Sequence, residues 1–70
     1  MVKLESIRAK IVEAIKLSGK TQKEIASQIG VCQQAIGQYL HQNKMPSLDT
    51  FANLCIALDL DANEILCINK

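Results

Sequence analysis

An all-α fold of five short helices, forming one domain over residues 1–70, is predicted by three observations. Apolar residues recur at three- and four-residue spacing through almost every segment, capping sequences stand at the segment starts, and a glycine or proline stands at most of the breaks. The chain has only 70 residues. A domain of that size buries about 60% of the surface its unfolded chain exposes, so its core must be built from contacts local in sequence, which favours helices over a sheet. With 49% hydrophobic residues and a net charge of +1, the chain is too aliphatic for a disordered segment. It also lacks the roughly 20 consecutive apolar residues of a membrane span. The N-terminus, MVKLESIRAK, alternates charge with aliphatics and offers no signal core, so a cytoplasmic protein with no membrane partner is expected.

The elements follow in order. Leu4, Ile7, Ile11, Ala14 and Ile15 share one helical face, which predicts a first helix over 4–17, stopped near Ser18-Gly19. Thr21-Gln22-Lys23-Glu24 has the form of a capping box, in which the threonine hydroxyl accepts from the Glu24 amide and the glutamate accepts from the threonine amide. It opens a second helix with Ile25, Ala26 and Ile29 inward, and Gly30 suits its left-handed end. Only Gly30 and Val31 separate that helix from a third, at about 32–42, with Ile36, Tyr39 and Leu40 inward. Its outward residues are Gln33, Gln34, Gly37, Gln38 and His41, a polar face almost without charge. Pro46 forces a loop after His41, and Asn43 is the candidate there for positive φ. Ser47 is placed to cap a fourth helix carrying Leu48, Phe51, Leu54, Cys55 and Leu58 inward. Asp61-Ala62-Asn63-Glu64 predicts a second capping box and a short fifth helix with Ile65 and Leu66 inward.

Charge is unevenly divided along the chain. Residues 1–44 carry seven bases (Lys3, Arg8, Lys10, Lys16, Lys20, Lys23, Lys44) against three acids, +4 in all. Residues 45–70 carry Lys70 against Asp49, Asp59, Asp61 and Glu64, or −3. A polyanion would therefore prefer the first part. Cys32, Cys55 and Cys67 match neither a disulfide framework nor a zinc spacing, and His41 is the single histidine, so reduced thiols, no metal and no cofactor are expected. Cys32 and His41, nine residues apart on one helix at about 100° per residue, fall on opposite sides and cannot form a dyad. No catalytic residues are assigned, and an enzyme is not expected.

Two short helices joined by a tight glycine turn form a helix-turn-helix. From Thr21–Ala26 through Gly30–Ile36 to Pro46–Phe51 and Asp61–Leu66, the chain resembles the Cro/C1-type (XRE-like) family of phage and bacterial repressors, over about 60 residues. The resemblance implies a lambda-repressor-like five-helix domain that binds a double-stranded DNA operator as a homodimer, with the third helix in the major groove. Carried over by position, it assigns base contacts to Gln33, Gln34, Ala35, Gly37 and Gln38, and phosphate contacts to Gln22, Lys23, Asn43 and Lys44. Glutamine offers a donor and an acceptor on one planar amide, which matches adenine N6 and N7. Ala35 is short enough to touch a thymine methyl. The resemblance also points to a dimer interface near the fifth helix and C-terminus, for which Ile56, Ile65, Cys67 and Ile68 are the candidates. No small-molecule ligand is expected. The alternative function is a protein-interaction module of the same fold, such as an antirepressor or an antitoxin-type partner.

Departures from the family pattern carry information of their own. Ile15 and Leu40 stand where an arginine–glutamate pair is usual, and exchanging both partners for apolar residues leaves no stranded charge. Cys32 replaces the usual capping serine or threonine, Gly37 a small hydroxyl residue, and Gln42 a frequent glycine. Val12, Leu17 and Ile56 stand where polar residues are common, which points to surface covered by a partner.

Overall fold

The computed structural model describes residues 1–68. Among these residues the chain forms α1 (Leu4–Leu17), α2 (Gln22–Ile29), α3 (Gln33–His41), α4 (Leu48–Leu58) and α5 (Ala62–Ile65), with no strand. α2 is the hub, packing on α3 and α4, while α1 rests on α3 and α5.

The best-determined helix start is that of α2. Glu24 N donates to Thr21 Oγ1 at 3.1 Å and Thr21 N donates to Glu24 Oε1 at 2.9 Å, so both halves of the capping box are made. The other two side-chain caps differ from expectation. Ser47 is the N-cap of α4 and its carbonyl accepts from Phe51 N at 2.8 Å, but its hydroxyl donates to the Asp49 carboxylate instead of accepting from the helix. Asp49 then accepts from Thr50 N at 3.0 Å, closing the first turn with its own carboxylate. At α5, Asp61 accepts from Asn63 N at 3.0 Å, and the reciprocal bond from Glu64 is absent, so the expected second box is a single cap. A four-residue helix offers one turn of amides, and the short aspartate side chain reaches the nearer one.

All five helices are followed by a residue in left-handed backbone: Gly19, Gly30, Asn43, Asp59 and Cys67, with φ between 54° and 74°. Asn43 is the residue expected to do so. After α4, Leu60 N donates to Cys55 O at 2.8 Å, and after α5 Ile68 N donates to Asn63 O at 3.0 Å. Both bonds satisfy carbonyls that the helix itself leaves without donors.

The core takes residues from every helix. Ile25 of α2, Ile36 of α3 and Leu54 of α4 are fully buried, and Ile11, Ile15, Ala26, Ile29, Tyr39, Phe51 and Ile65 surround them. No polar or charged residue is buried among the described residues. Ile15 is buried and Leu40 packs half-buried against the core, so the positions of the family's ion pair are apolar and filled. Ala26 is 3% exposed, small enough to let α2 and α3 approach. Burial pushes the Tyr39 phenol and the Cys55 thiol up, which keeps both neutral inside. The three cysteines are free thiols.

Two residues assigned to inward faces are not buried. Leu48 is 83% and Leu4 64% exposed, each the first residue of its helix. They rim an open apolar groove floored by Ile7, Ile11, Met45, Pro46, Phe51 and Leu66.

One long-range polar tie crosses the fold. Lys20, in the α1–α2 connection, donates from Nζ to Gln28 Oε1 at 2.9 Å and to Ala57 O at 3.3 Å. The second bond places a cation on the last turn of α4, where unsatisfied carbonyls carry partial negative charge.

Three expected outcomes follow from this packing. Ile25→Ala should cost about 2–5 kcal/mol, most of the stability of a domain with only about 5 kcal/mol to lose, and show as loss of a cooperative unfolding transition. Lys20→Met, which keeps the stem and removes the donors, should lower stability by about 1 kcal/mol in urea titration. Thr21's amide is the main reason Glu24 titrates below the usual glutamate range, and the Ser47 hydroxyl does the same for Asp49. Lowered folded values mean stability that is present above the unfolded values near pH 4 and lost as pH falls through the folded ones. The urea midpoint should therefore drop on acidification, and less steeply in a Glu24→Gln, Asp49→Asn variant.

Candidate nucleic-acid interface

The turn between α2 and α3 decides what α3 presents. Gly30, at φ 74°, ends α2, and Val31 N donates back to Ala26 O at 3.0 Å, so α3 leaves at a fixed angle two residues later. Ile36 and Tyr39 are drawn into the core, which turns the opposite side of α3 outward. Gln33, Gln34 and His41 are exposed there, and Gly37 and Gln38 are half-buried. At four-residue spacing Gln33, Gly37 and His41 make one row, and Gln34 and Gln38 a second. No side-chain hydrogen bond among the described residues involves Gln33, Gln34 or Gln38, so their amides stay available to a ligand. Ala35 is half-buried and packs against the core, which limits the surface it can offer outward.

Cys32 is the N-cap of α3 and makes no side-chain cap bond, in keeping with a thiol's weak acceptor strength. The first-turn amides of α3 are left without a side-chain partner as a result. At the start of α2, Lys23 is exposed and Gln22 half-buried. Gln22 folds over α3: its Oε1 lies 3.5 Å from the point where a Cβ on Gly37 would stand. Beyond α3, Gln42 N closes on Gln38 O at 2.9 Å, so the loop forms with glutamine where glycine is frequent. Asn43 takes the left-handed conformation and, like Lys44, is exposed.

Two features of this face escape inspection of the sequence. Arg8, half-buried on α1, lines a shallow depression with Glu5 and with Asn43, 35 positions along the chain, and so brings a base and an acid beside the loop. The Gln22–Gly37 approach joins residues 15 positions apart, and only the crossing of α2 on α3 creates it.

The chain matches the family described as helix-turn-helix over residues 11–65, from the middle of α1 to the end of α5. The chain belongs to the Cro/C1-type helix-turn-helix family. No curated protein and no solved structure matches it. Membership of a DNA-binding family makes this helix-turn-helix protein a DNA-binding regulator in general terms. Among the described residues no group of three or more His, Cys, Asp or Glu side chains is arranged to hold a metal ion, and no helix is long and apolar enough to cross a membrane.

The dimer candidates lie in different surroundings. Ile56 is 80% and Ile68 53% exposed, and Cys67 is half-buried. Ile65, expected both inside and at the interface, is 7% exposed, so the core claims it and little of its side chain is left for a second chain. Leu17 is also outside, at 77% exposed, whereas Val12 is half-buried.

Gly37 is not in left-handed backbone, and a Cβ there meets Gln22 only at ordinary van der Waals distance. Gly37→Ala should therefore stabilise the domain by about 1 kcal/mol through helix propensity alone, read as a raised midpoint in thermal and urea unfolding.

Proposed function

We propose that this chain is a transcriptional repressor that binds an operator in duplex DNA as a homodimer, with α3 in the major groove. The observation that carries the reading is the outer face of α3: three carboxamides with no internal hydrogen-bond partner and no charged residue among Gln33, Gln34, Gly37 and Gln38. An α-helix of ordinary diameter fits the major groove, and the Gln33–His41 row spans about 12 Å, or three to four base pairs. Gln33, Gln34 and Gln38 are the base-reading residues, with Gly37 beside them and Ala35 contributing what methyl surface it leaves exposed. Gln22, Lys23, Asn43 and Lys44 flank the row as phosphate contacts, the first two helped by the partial positive charge at the start of α2.

Size supports the homodimer. Half-sites one helical turn apart are separated by about 34 Å. The backbone measures 33 × 24 × 21 Å, so copies on adjacent half-sites come within contact range. Ile56, Ile68 and Cys67 are the side chains proposed for that contact.

A second reading, a protein-interaction module such as an antirepressor or an antitoxin-type partner, is favoured by exposed Leu17 and Ile56. Salt separates the two. Selection of bound duplexes from a random pool should enrich a palindrome, with affinity falling steeply as salt rises, because phosphate contacts release counterions. Gln33→Ala with Gln34→Ala should relax base preference at the contacted positions at a cost of about 1–3 kcal/mol per pair. Lys44→Ala should weaken all sequences alike and lower the salt slope by about 1. No enrichment, with weak salt-insensitive binding, would transfer the assignment to the protein-interaction reading.

A further inference from the structure

The outer surface of α3 has one gap, and the gap is occupied from another helix. Gly37 lies between Gln33 and His41 on a single row, and Gln22 Oε1 reaches to 3.5 Å from its absent Cβ. Gln22 is half-buried in this position, while the next two residues of α2, Lys23 and Glu24, are exposed. The backbone does not require the glycine, because Gly37 is not in the left-handed region. Helix propensity argues against it, since glycine is the poorest helix former after proline. A Cβ alone would fit, and among the described residues Gln22 Oε1 is the single neighbour within 4 Å that a longer side chain there would meet.

We propose that Gly37 is a positioning residue for DNA binding: its empty place on α3 seats the Gln22 carboxamide and holds the phosphate anchor of α2 at a fixed spacing from the reading row. The inference rests on the DNA-binding reading of this face. With Oε1 turned to Gly37, the Nε2 donor is the half of the amide left to offer a phosphate oxygen. A seated side chain loses less rotational freedom on binding than one that swings in solvent. Gly37 thus acts through Gln22 and needs no contact of its own with a base.

The test is a double-mutant cycle on the duplex that the wild type selects. Affinities are measured for the wild type, Gln22→Ala, Gly37→Ala, Gly37→Leu and the combined Gln22→Ala, Gly37→Leu variant. Gln22→Ala and Gly37→Leu should each weaken binding by roughly tenfold, the loss of one hydrogen bond to a charged group, and the combined variant by no more than either alone. Gly37→Ala, whose Cβ meets Gln22 only at van der Waals distance, should weaken binding less than Gly37→Leu does. Thermal midpoints of both Gly37 variants should be at or above that of the wild type, separating lost binding from lost folding. In the free protein, the Gln22 side-chain amide resonances should move in Gly37→Leu and stay near their wild-type positions in Gly37→Ala. Unchanged binding by Gly37→Leu, or losses that multiply in the combined variant, would overturn the coupling while leaving the DNA-binding reading intact. A wild type that enriches no duplex would overturn both.

Discussion

The structure depends on one junction, where Ile25, Ile36 and Leu54 from three successive helices are removed from water together. α2, α3 and α4 are each too short to be stable alone, since isolated helices below about 12–15 residues are marginal in water. Burial in a common cluster is what makes them form, and it fixes their rotation at the same time. Once Ile36 and Tyr39 are committed inward, Gln33 and Gln34 are outward with no further instruction. The exposed glutamine face is thus a by-product of core packing. That is why the apolar replacements Ile15 and Leu40 matter: they keep the support under α3 without a buried ion pair whose partial loss would strand a charge.

Direction is set by the ends of the helices as much as by the core. A left-handed residue stands in each of the four connections between helices, and a fifth, Cys67, follows α5. Gly19, Gly30 and Asn43 were legible, because glycine and asparagine tolerate that conformation. Cys67 was not, because a thiol gives no sign of it, and Asp59 was missed although aspartate, like asparagine, tolerates that conformation. Each is held there by a backbone bond, from Leu60 to Cys55 and from Ile68 to Asn63, that forms only once the helix has ended. The helix boundaries could be read from capping residues, whereas the partners of those caps depended on distances of an ångström or less. Ser47 turning to Asp49 and Asp61 reaching Asn63 are two such cases.

The same division runs through the candidate site. Gln33, Gln34 and the turn at Gly30 lie close together in sequence, so periodicity and turn chemistry located them. Arg8 beside Asn43 and Gln22 over Gly37 depend on how whole helices cross, and no local pattern encodes that crossing. Ile65 was expected both inside and at a dimer interface, and burial bears out the first: its 7% exposure anchors the four-residue α5 in the core.

The composition of the site sets how such a protein must work. Lys23 and Lys44 are the only lysines assigned to phosphate contact, and the rest of the flanking set is neutral apart from Arg8 nearby. Phosphate neutralisation supplies most of the sequence-independent affinity of DNA-binding proteins, so the few phosphate contacts proposed for this chain imply weak binding to random duplex. On the proposed reading, discrimination rests on amide pairing, which is worth little unless the amides arrive in register. Register would then come from rigidity: the fixed turn at Gly30, the proposed seat for Gln22 and a proposed second copy that doubles the contacts. A nearly neutral regulator of this size therefore gains specificity by lowering its attraction to DNA in general, and recovers affinity through geometry instead of charge.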